Sequence, residues 1–259
     1  IESHALSFFH LSAPDLLLGF DSDPAKRNIF GLIESHPSIA KDGVRLRAIG
    51  QEIIKGFAGK RIHPSWVVPG GVNQPFSEEN RQKLLEMIPD AYDIVQRTLV
   101  WFKASIENFR EEIRTFSNFP TMFMGLVNSE GNLEHLEGNL RFTDAKGEIV
   151  KDAVEPFRYD EYIGESTEAW SYLKSPYYLP LGYPDGIYRA GPAARLNVCS
   201  GCGTPQADQE WAEFRSLERG AVLSSFYNHY ARLVELLYSI ELADKLLNDQ
   251  DIMGTHVRA

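Results

Sequence analysis

Apolar residues recur along most of this chain at helical spacing. In residues 1–19, His4, Phe8 and Leu11 fall at i, i+4 and i+7, while Leu6, Phe9 and Ala13 supply a second apolar face. That pattern predicts a buried helix with little surface left for water, kinked or divided at Pro14. A second helix is predicted over Arg45–Phe57, ending at Gly59. Lys60–Pro75 holds three prolines and a Gly-Gly pair and reads as loop or short strand. Ser77 is a good N-cap, with Glu78 and Glu79 favourably placed in the first turn. Pro89 ends that helix and opens the next, where Val95, Leu99, Phe102, Ile106, Phe109 and Ile113 hold one core-facing stripe through five turns.

After Pro120 the period changes. Met122–Val127 reads as a buried strand, and Asn139–Val150 as a hairpin turning at Asp144–Gly147. Residues 155–205 are rich in Pro, Gly and Tyr with weak periodicity, a stretch expected to be functional or wrapped over a partner. A last helix is predicted from about Leu223 to Leu247, with Phe226, Tyr230, Leu233, Leu237 and Ile240 on one face. There are no repeats. The fold class is therefore mainly α with a small antiparallel β insertion at about 120–152 (α+β), within a single domain spanning 1–259.

Composition narrows the function classes. The 259 residues are 43% hydrophobic and 24% charged, ordinary for a soluble globular chain. Acidic residues outnumber basic ones, 36 to 26, for a formal net charge of −10. That argues against nucleic acid as a partner, which demands clustered Lys and Arg. No run approaches the roughly 20 apolar residues of a membrane span. Two cysteines make no disulfide framework, so a reduced, cytoplasmic setting is expected. The chain opens at Ile1 inside an apolar pattern and stops at Ala259 without a terminating signal, which reads as a piece of a longer protein.

Candidate chemistry is sparse. Cys199-Ser200-Gly201-Cys202 is the one motif with metal-ligand spacing. With no further cysteine, it reads as a four-ligand metal site only if the fold brings His229 and His256 close enough to complete it, and otherwise as a redox pair or two plain thiols. His4 and His10 would lie about 240° apart on an α-helix and could not share an ion. There is no Walker loop, G-x-G-x-x-G or hydrolase elbow.

Four segments, in order, carry a resemblance. Ser3–Leu11 followed by Pro14-Asp15 resembles S-H-A-L-H-F-F-H-L…P-D. Phe57–Pro64 with Pro69–Val72 resembles F-x-G-K-x-x-H-P…G-G-V. Trp170–Tyr178 resembles S-Y-L-K-x-P-x-Y, and Gly191–Asn197 resembles G-P-L-A-R. These are segments of nickel–iron hydrogenase large subunits. Gly203-Thr204-Pro205, Ala207–Glu210 and His229–Arg232 look closest to the NAD-reducing, bidirectional branch. Departures are Ser7 where many members have His, Ala193 where most have Leu, and Ser3 where several carry an acid.

The resemblance implies reversible H2 oxidation at a Ni–Fe centre, with CO and CN ligands on the iron, and a magnesium or similar ion in the whole large subunit. It implies a small-subunit partner carrying iron–sulfur clusters, and diaphorase subunits that use flavin to reach NAD(P). The family's two metal-binding C-x-x-C motifs and its catalytic Arg would lie outside this interior stretch, so the fragment alone is expected to be inactive. Cys199 and Cys202 lack the flanks of those ligands. By resemblance, His4, His63 and Arg195 belong to the supporting shell, His63 and Arg195 fixing loops with partners of their own. Glu161 and Lys174 could hold waters on the second ion, or form ordinary ion pairs. The alternatives are the quinone-site subunit of a complex I-like oxidoreductase, or a noncatalytic hydrogenase-like scaffold.

Overall fold

A computed structural model describes residues 1–259. In chain order it begins with α1 (Glu2–Ala5), a π-helical segment (Leu6–Ser12) and α2 (Ala13–Leu18). There follow α3 (Ile29–Ser35), α4 (Pro37–Ala58), β1 (Val67–Val68), β2 (Gly71–Val72), α5 (Glu78–Leu85) and α6 (Ile88–Ser105). A 3-10 turn (Ile106–Phe109) leads to α7 (Arg110–Thr115), then β3 (Met122–Val127), β4 (Asn139–Thr143) and β5 (Ile149–Val154). The remainder is β6 (Ile163–Thr167), β7 (Lys174–Tyr178), β8 (Tyr188–Arg189), α8 (Pro192–Val198), α9 (Pro205–Ser216) and α10 (Asn228–Asn248). No helix is long and apolar enough to cross a membrane.

The chain divides into two compact units, Ile1–Ala104 with Leu236–Ala259, and Ser105–Glu235. In the first, the opening helix departs from the expected single α-helix. Pro14 has no N–H for the carbonyl four residues back. The segment before it winds as a π-helix, with the Ala13 N–H donating to the Phe8 carbonyl. The wider turn breaks the 3.6-residue phase, so Leu11 is 65% exposed although Phe8 and Phe9 are sealed. The 240° between His4 and His10 likewise applied to an α-helix that does not form. This segment lies against α4, where Gly43 and Gly50, seven residues apart, leave room for it. A Cβ on Gly43 would stand 2.4 Å from Phe9 Cβ, and one on Gly50 would stand 2.8 Å from the Glu2 nitrogen.

α4 begins at Pro37, eight residues before the apolar pattern suggested, because Pro37 is pre-set for a first helical turn. It ends where expected, with Gly59 in the left-handed conformation at φ 73°. Ser77 caps α5, its hydroxyl accepting the Asn80 N–H. The Lys60–Pro75 stretch forms only the two-residue ladder β1–β2. The C-terminal residues lie along it: the Val72 N–H donates to the Val257 carbonyl, and the Ala259 N–H to the Gly70 carbonyl. Gly71 permits this at φ 147°, since a Cβ there would stand 2.1 Å from the Val257 oxygen.

In the second unit the four-stranded sheet has the order β5-β4-β3-β8. β3–β4–β5 is antiparallel as anticipated, with Met124 opposite Phe142. β8 joins parallel to β3, and a separate antiparallel hairpin, β6–β7, extends strand structure beyond residue 152. Met122, Leu140, Phe142, Val154 and Tyr178 form the sheet's core. The five-turn stripe ending at Ile113 is not one helix: after α6 the chain tightens to 3-10 at Ile106–Phe109 and restarts as α7. Phe109 is nevertheless buried, against Phe226. The last helix starts at Asn228 after a 3-10 turn, and its five predicted core positions are all buried.

Candidate functional site

The richest polar constellation is built on α8, the Gly191–Asn197 segment, within the second unit. Gly191 takes φ 107°, a conformation that favours glycine, and Pro192 starts the helix. The Asn228 side chain accepts the Ala193 N–H, satisfying one of the first-turn donors. α8 lies so close to β3 that a Cβ on Gly125 would stand 2.8 Å from Val198 and 3.3 Å from Arg195 Cα. Nearly every α8 side chain is therefore buried, a polar one included, so each polar group needs a partner.

Arg195 finds its partner on α10. Its Nε and Nη2 donate to the two carboxylate oxygens of Glu235 at 2.6 and 2.7 Å, a bidentate pair. Glu235 is completely enclosed, while the Arg195 side chain is 23% exposed. His135, from the β3–β4 connection, brings Nε2 to 3.6 Å from the same carboxylate. Two residues along α8, the Asn197 amide donates to the Val222 carbonyl and accepts from the Val222 N–H and Arg215 Nη1. Arg141, on β4, donates through Nε and Nη2 to Asp152 and through Nη1 to the Val198 carbonyl and the Ser200 hydroxyl. The hydrogen-bonded guanidinium holds the Asp152 carboxyl below the ordinary carboxylate range. These bonds tie the end of α8 to the sheet.

Cys199 and Cys202 follow directly. Both are buried free thiols. Burial pushes the Cys199 thiol up to about 12, so it stays protonated at neutral pH, and its Sγ lies 3.8 Å from the Leu196 carbonyl. The loop is shaped by Asp208 on α9, whose Oδ1 accepts the N–H groups of Cys202 and Gly203. His229 is neutral at physiological pH: burial, reinforced by Arg232, pushes it down to about 4. No three His, Cys, Asp or Glu side chains converge as an ion-binding group. A protonated thiol in an apolar setting is a poor ligand. The donor set of this chain does not by itself fit a Ni–Fe centre or a structural zinc.

The other residues singled out from the sequence are dispersed. His4 lies half-buried on α1, and His63 lies exposed before β1 at φ 48°, both in the first unit. In the second unit, Glu161 pairs with Arg158 three residues back, and Lys174 with Glu165 across the β6–β7 hairpin at 3.3 Å. All four of those side chains are about half exposed. Sequence reasoning missed Glu235, Asn197, Arg141 and Asp152. Glu235 had a readable signal: it is an acid between Val234 and Leu236 on a predicted core-facing helix, a position that requires a cation.

No family model matches the chain. Over 261 residues it is 39% identical to its counterpart in the vhu F420-non-reducing hydrogenase of Methanocaldococcus jannaschii, covering 100% of this chain and 62% of that protein. The counterpart in the vhu enzyme of Methanococcus voltae is 40% identical, with 100% and 61% covered. The beta subunit of the NAD-reducing hydrogenase HoxS of Cupriavidus necator is 34% identical, with 97% and 53% covered. Among solved structures, an NAD+-reducing [NiFe]-hydrogenase in the H2-reduced state matches the whole chain with a TM-score of 0.94 at 39% identity, over 57% of its own length. The Ni-Fe-Se hydrogenase of D. vulgaris Hildenborough matches at a TM-score of 0.63 and 20% identity, a likeness of fold. The chain thus spans roughly three-fifths or less of the length of each of these relatives.

Proposed function

Since the chain belongs to the nickel–iron hydrogenase large-subunit family, we propose that it forms the interior of a catalytic subunit interconverting H2 with protons and electrons. The observation that carries this reading is the match of all 259 residues to the NAD+-reducing [NiFe]-hydrogenase at a TM-score of 0.94. Fold alone would not specify chemistry. The 39% identity along the same span and the ordered resemblance of four segments support a shared activity.

The part this chain plays is positional. A Ni–Fe centre, held by thiolates outside the described residues, would supply the H2 chemistry. Arg195–Glu235, Asn197 and Arg141–Asp152 hold α8 rigidly on its sheet. Such a packed, hydrogen-bonded frame keeps a neighbouring site in one geometry. By resemblance, a supporting role toward the centre is proposed for Arg195 in this frame and, separately, for His4 and His63 of the first unit. Glu161 and Lys174 are the candidates for holding waters on a magnesium-like ion. The partners in this reading are a small subunit with iron–sulfur clusters and flavin-containing diaphorase subunits, all in the cytoplasm.

NAD(P) is the proposed terminal acceptor. A second reading, an acceptor other than NAD, rests on the 39–40% identity to F420-non-reducing hydrogenases, against 34% to the HoxS beta subunit and 39% to the NAD+-reducing enzyme of known structure. The test is to express the full reading frame with its neighbouring genes, quantify nickel, and assay H2-dependent reduction of an artificial dye and of NAD. Stoichiometric nickel with dye reduction supports the hydrogenase reading, and NAD reduction then selects the acceptor. A folded, fully assembled complex with neither nickel nor H2 uptake refutes it.

A further inference from the structure

One cation near α8 is not accounted for by the frame. Arg232 sits on α10, one turn before Glu235, and it makes a long hydrogen bond, from Nη1 to the Asn228 carbonyl at 3.4 Å. Its Nε is enclosed by the protein with no acceptor. The neighbouring carboxylate cannot serve it well, because both Glu235 oxygens are held by Arg195. Other half-buried arginines of this unit lacking a carboxylate are better placed. Arg189 donates to the carbonyls of Leu223 and Ser117, and Arg215 to the Asn197 amide at 2.6 Å.

The local charge is unbalanced. Arg195 and Arg232 bring two positive charges against the one negative charge of Glu235, and His135 adds a third when protonated. A half-buried guanidinium with poor hydrogen bonding is costly, and an oxyanion relieves that cost. Burial and Arg195 both push the Arg232 guanidinium below its ordinary range, while Glu235 opposes them, which agrees with an under-neutralised cation. The edge is reachable: the side chains of His135 and Arg195 are 39% and 23% exposed.

We propose that Arg232, with Arg195 and His135 around the same buried glutamate, forms a binding site for a carboxylate. The guanidinium fork matches a planar carboxylate in a bidentate arrangement, which favours this group over a spherical anion such as chloride. The ligand is a free carboxylic acid or a carboxylate borne on a polypeptide, two sources of one chemistry. This site does not depend on the hydrogenase reading.

The test follows the backbone amide resonances of Asn228–Glu235, present in the parent and in both variants below, during titration of the 259-residue chain with acetate at constant ionic strength, with chloride as control. A saturable shift at about millimolar acetate, absent with chloride, is expected. R232Q should lose the response, and R232K should retain one weakened by about tenfold. R232Q should melt no lower than the parent, since an under-neutralised cation is removed. A parallel titration uses acetyl-Gly-Glu-Gly-amide. Binding about tenfold tighter than acetate assigns the site to a polypeptide carboxylate, and equal binding assigns it to a free acid. No saturable response to either probe, or a response unchanged in both variants, overturns the proposal.

Discussion

Substituting Gly43 by alanine tests how the first unit holds its π-helical segment. In the interior of α4, alanine should help by about 0.5–1 kcal/mol through helix propensity alone. The new Cβ would stand 2.4 Å from Phe9 Cβ and 2.8 Å from Phe9 Cγ. A side chain cannot rotate its own Cβ away, so relief requires the backbone of the π segment to shift. Phe9 is 1% exposed and meets Phe8 edge-on at 5.2 Å, and Phe8 is itself enclosed by Trp101 and Phe102. Overpacking of such a core costs about 1–3 kcal/mol. Against the propensity gain, a net loss of about 1–2 kcal/mol is expected, or a fall in Tm of roughly 3–6 °C. Gly56→Ala in the same helix is the control. Its Cβ would meet only the end of Leu84, with Cδ1 at 3.2 Å, a methyl that can rotate aside. That variant should be neutral or gain up to about 0.5 kcal/mol. Urea denaturation followed by tryptophan fluorescence, with Trp101 beside the affected cluster, measures both. A Gly43→Ala protein as stable as the parent, or a Gly56→Ala protein equally destabilised, would refute the close-approach argument.

Further tests probe the second unit and the chain's electrostatics. Glu235→Gln removes the sealed counter-charge of Arg195, whose own side chain is 23% exposed, and should cost about 3 kcal/mol by chemical denaturation; a loss under about 1 kcal/mol would mean the frame does not depend on this pair. Gly71→Ala places a Cβ 2.1 Å from the Val257 oxygen and should release Val257–Ala259, raising amide exchange at Val72 and Ala259 while α5 is unaffected. Hydrogen bonds from Lys83 and Arg61 hold the Glu52 carboxyl down at about 2, against 4.5 ordinarily. That depressed value contributes stability above pH 4.5 which is lost as pH falls toward about 2. Glu52→Gln should flatten this part of the pH–stability profile. Cys199, buried with its thiol pushed up to about 12, should resist iodoacetamide at about pH 8 until the protein is unfolded. Rapid alkylation of the native chain would contradict that assignment.

Much of the architecture was legible wherever a single period ran uninterrupted. Ser77 capped its helix, Gly59 ended α4, Met122–Val127 formed a strand, and the last helix buried its predicted face. Two of the errors share one cause. At Pro14 and at Ile106–Phe109 the backbone leaves the α-helical repeat, through a π-helix in one case and a 3-10 turn in the other. Hydrophobic spacing is measured against an assumed 3.6 residues per turn and cannot register such a change of pitch. Leu11, assigned to the core by spacing and found at the surface, is the direct consequence. β8 was invisible for another reason: two residues have no periodicity, and their partner β3 lies more than sixty positions away.

The site shows a different limit. Gly191–Asn197 was recognisable by resemblance, but its physical role depends on groups distant in sequence: Glu235 forty residues on for Arg195, and Val222 twenty-five residues on for Asn197. A charge set among apolar residues announces that it must be paired, as Arg195 and Glu235 both do, yet nothing local says with what. Conversely, the motif that looked most like chemistry, Cys199–Cys202, lies in a buried loop fixed by Asp208, with the Cys199 thiol kept protonated by its surroundings. Ligand spacing is necessary for a metal site, but a thiolate also needs a setting that stabilises its charge. In this chain such stabilisation goes to carboxylates instead: Arg141 serves Asp152, Arg195 serves Glu235, and Lys83 with Arg61 serves Glu52. Around Cys199 burial outweighs the nearby cation Arg215, whose guanidinium is already engaged with the Asn197 amide, so the thiol keeps its proton.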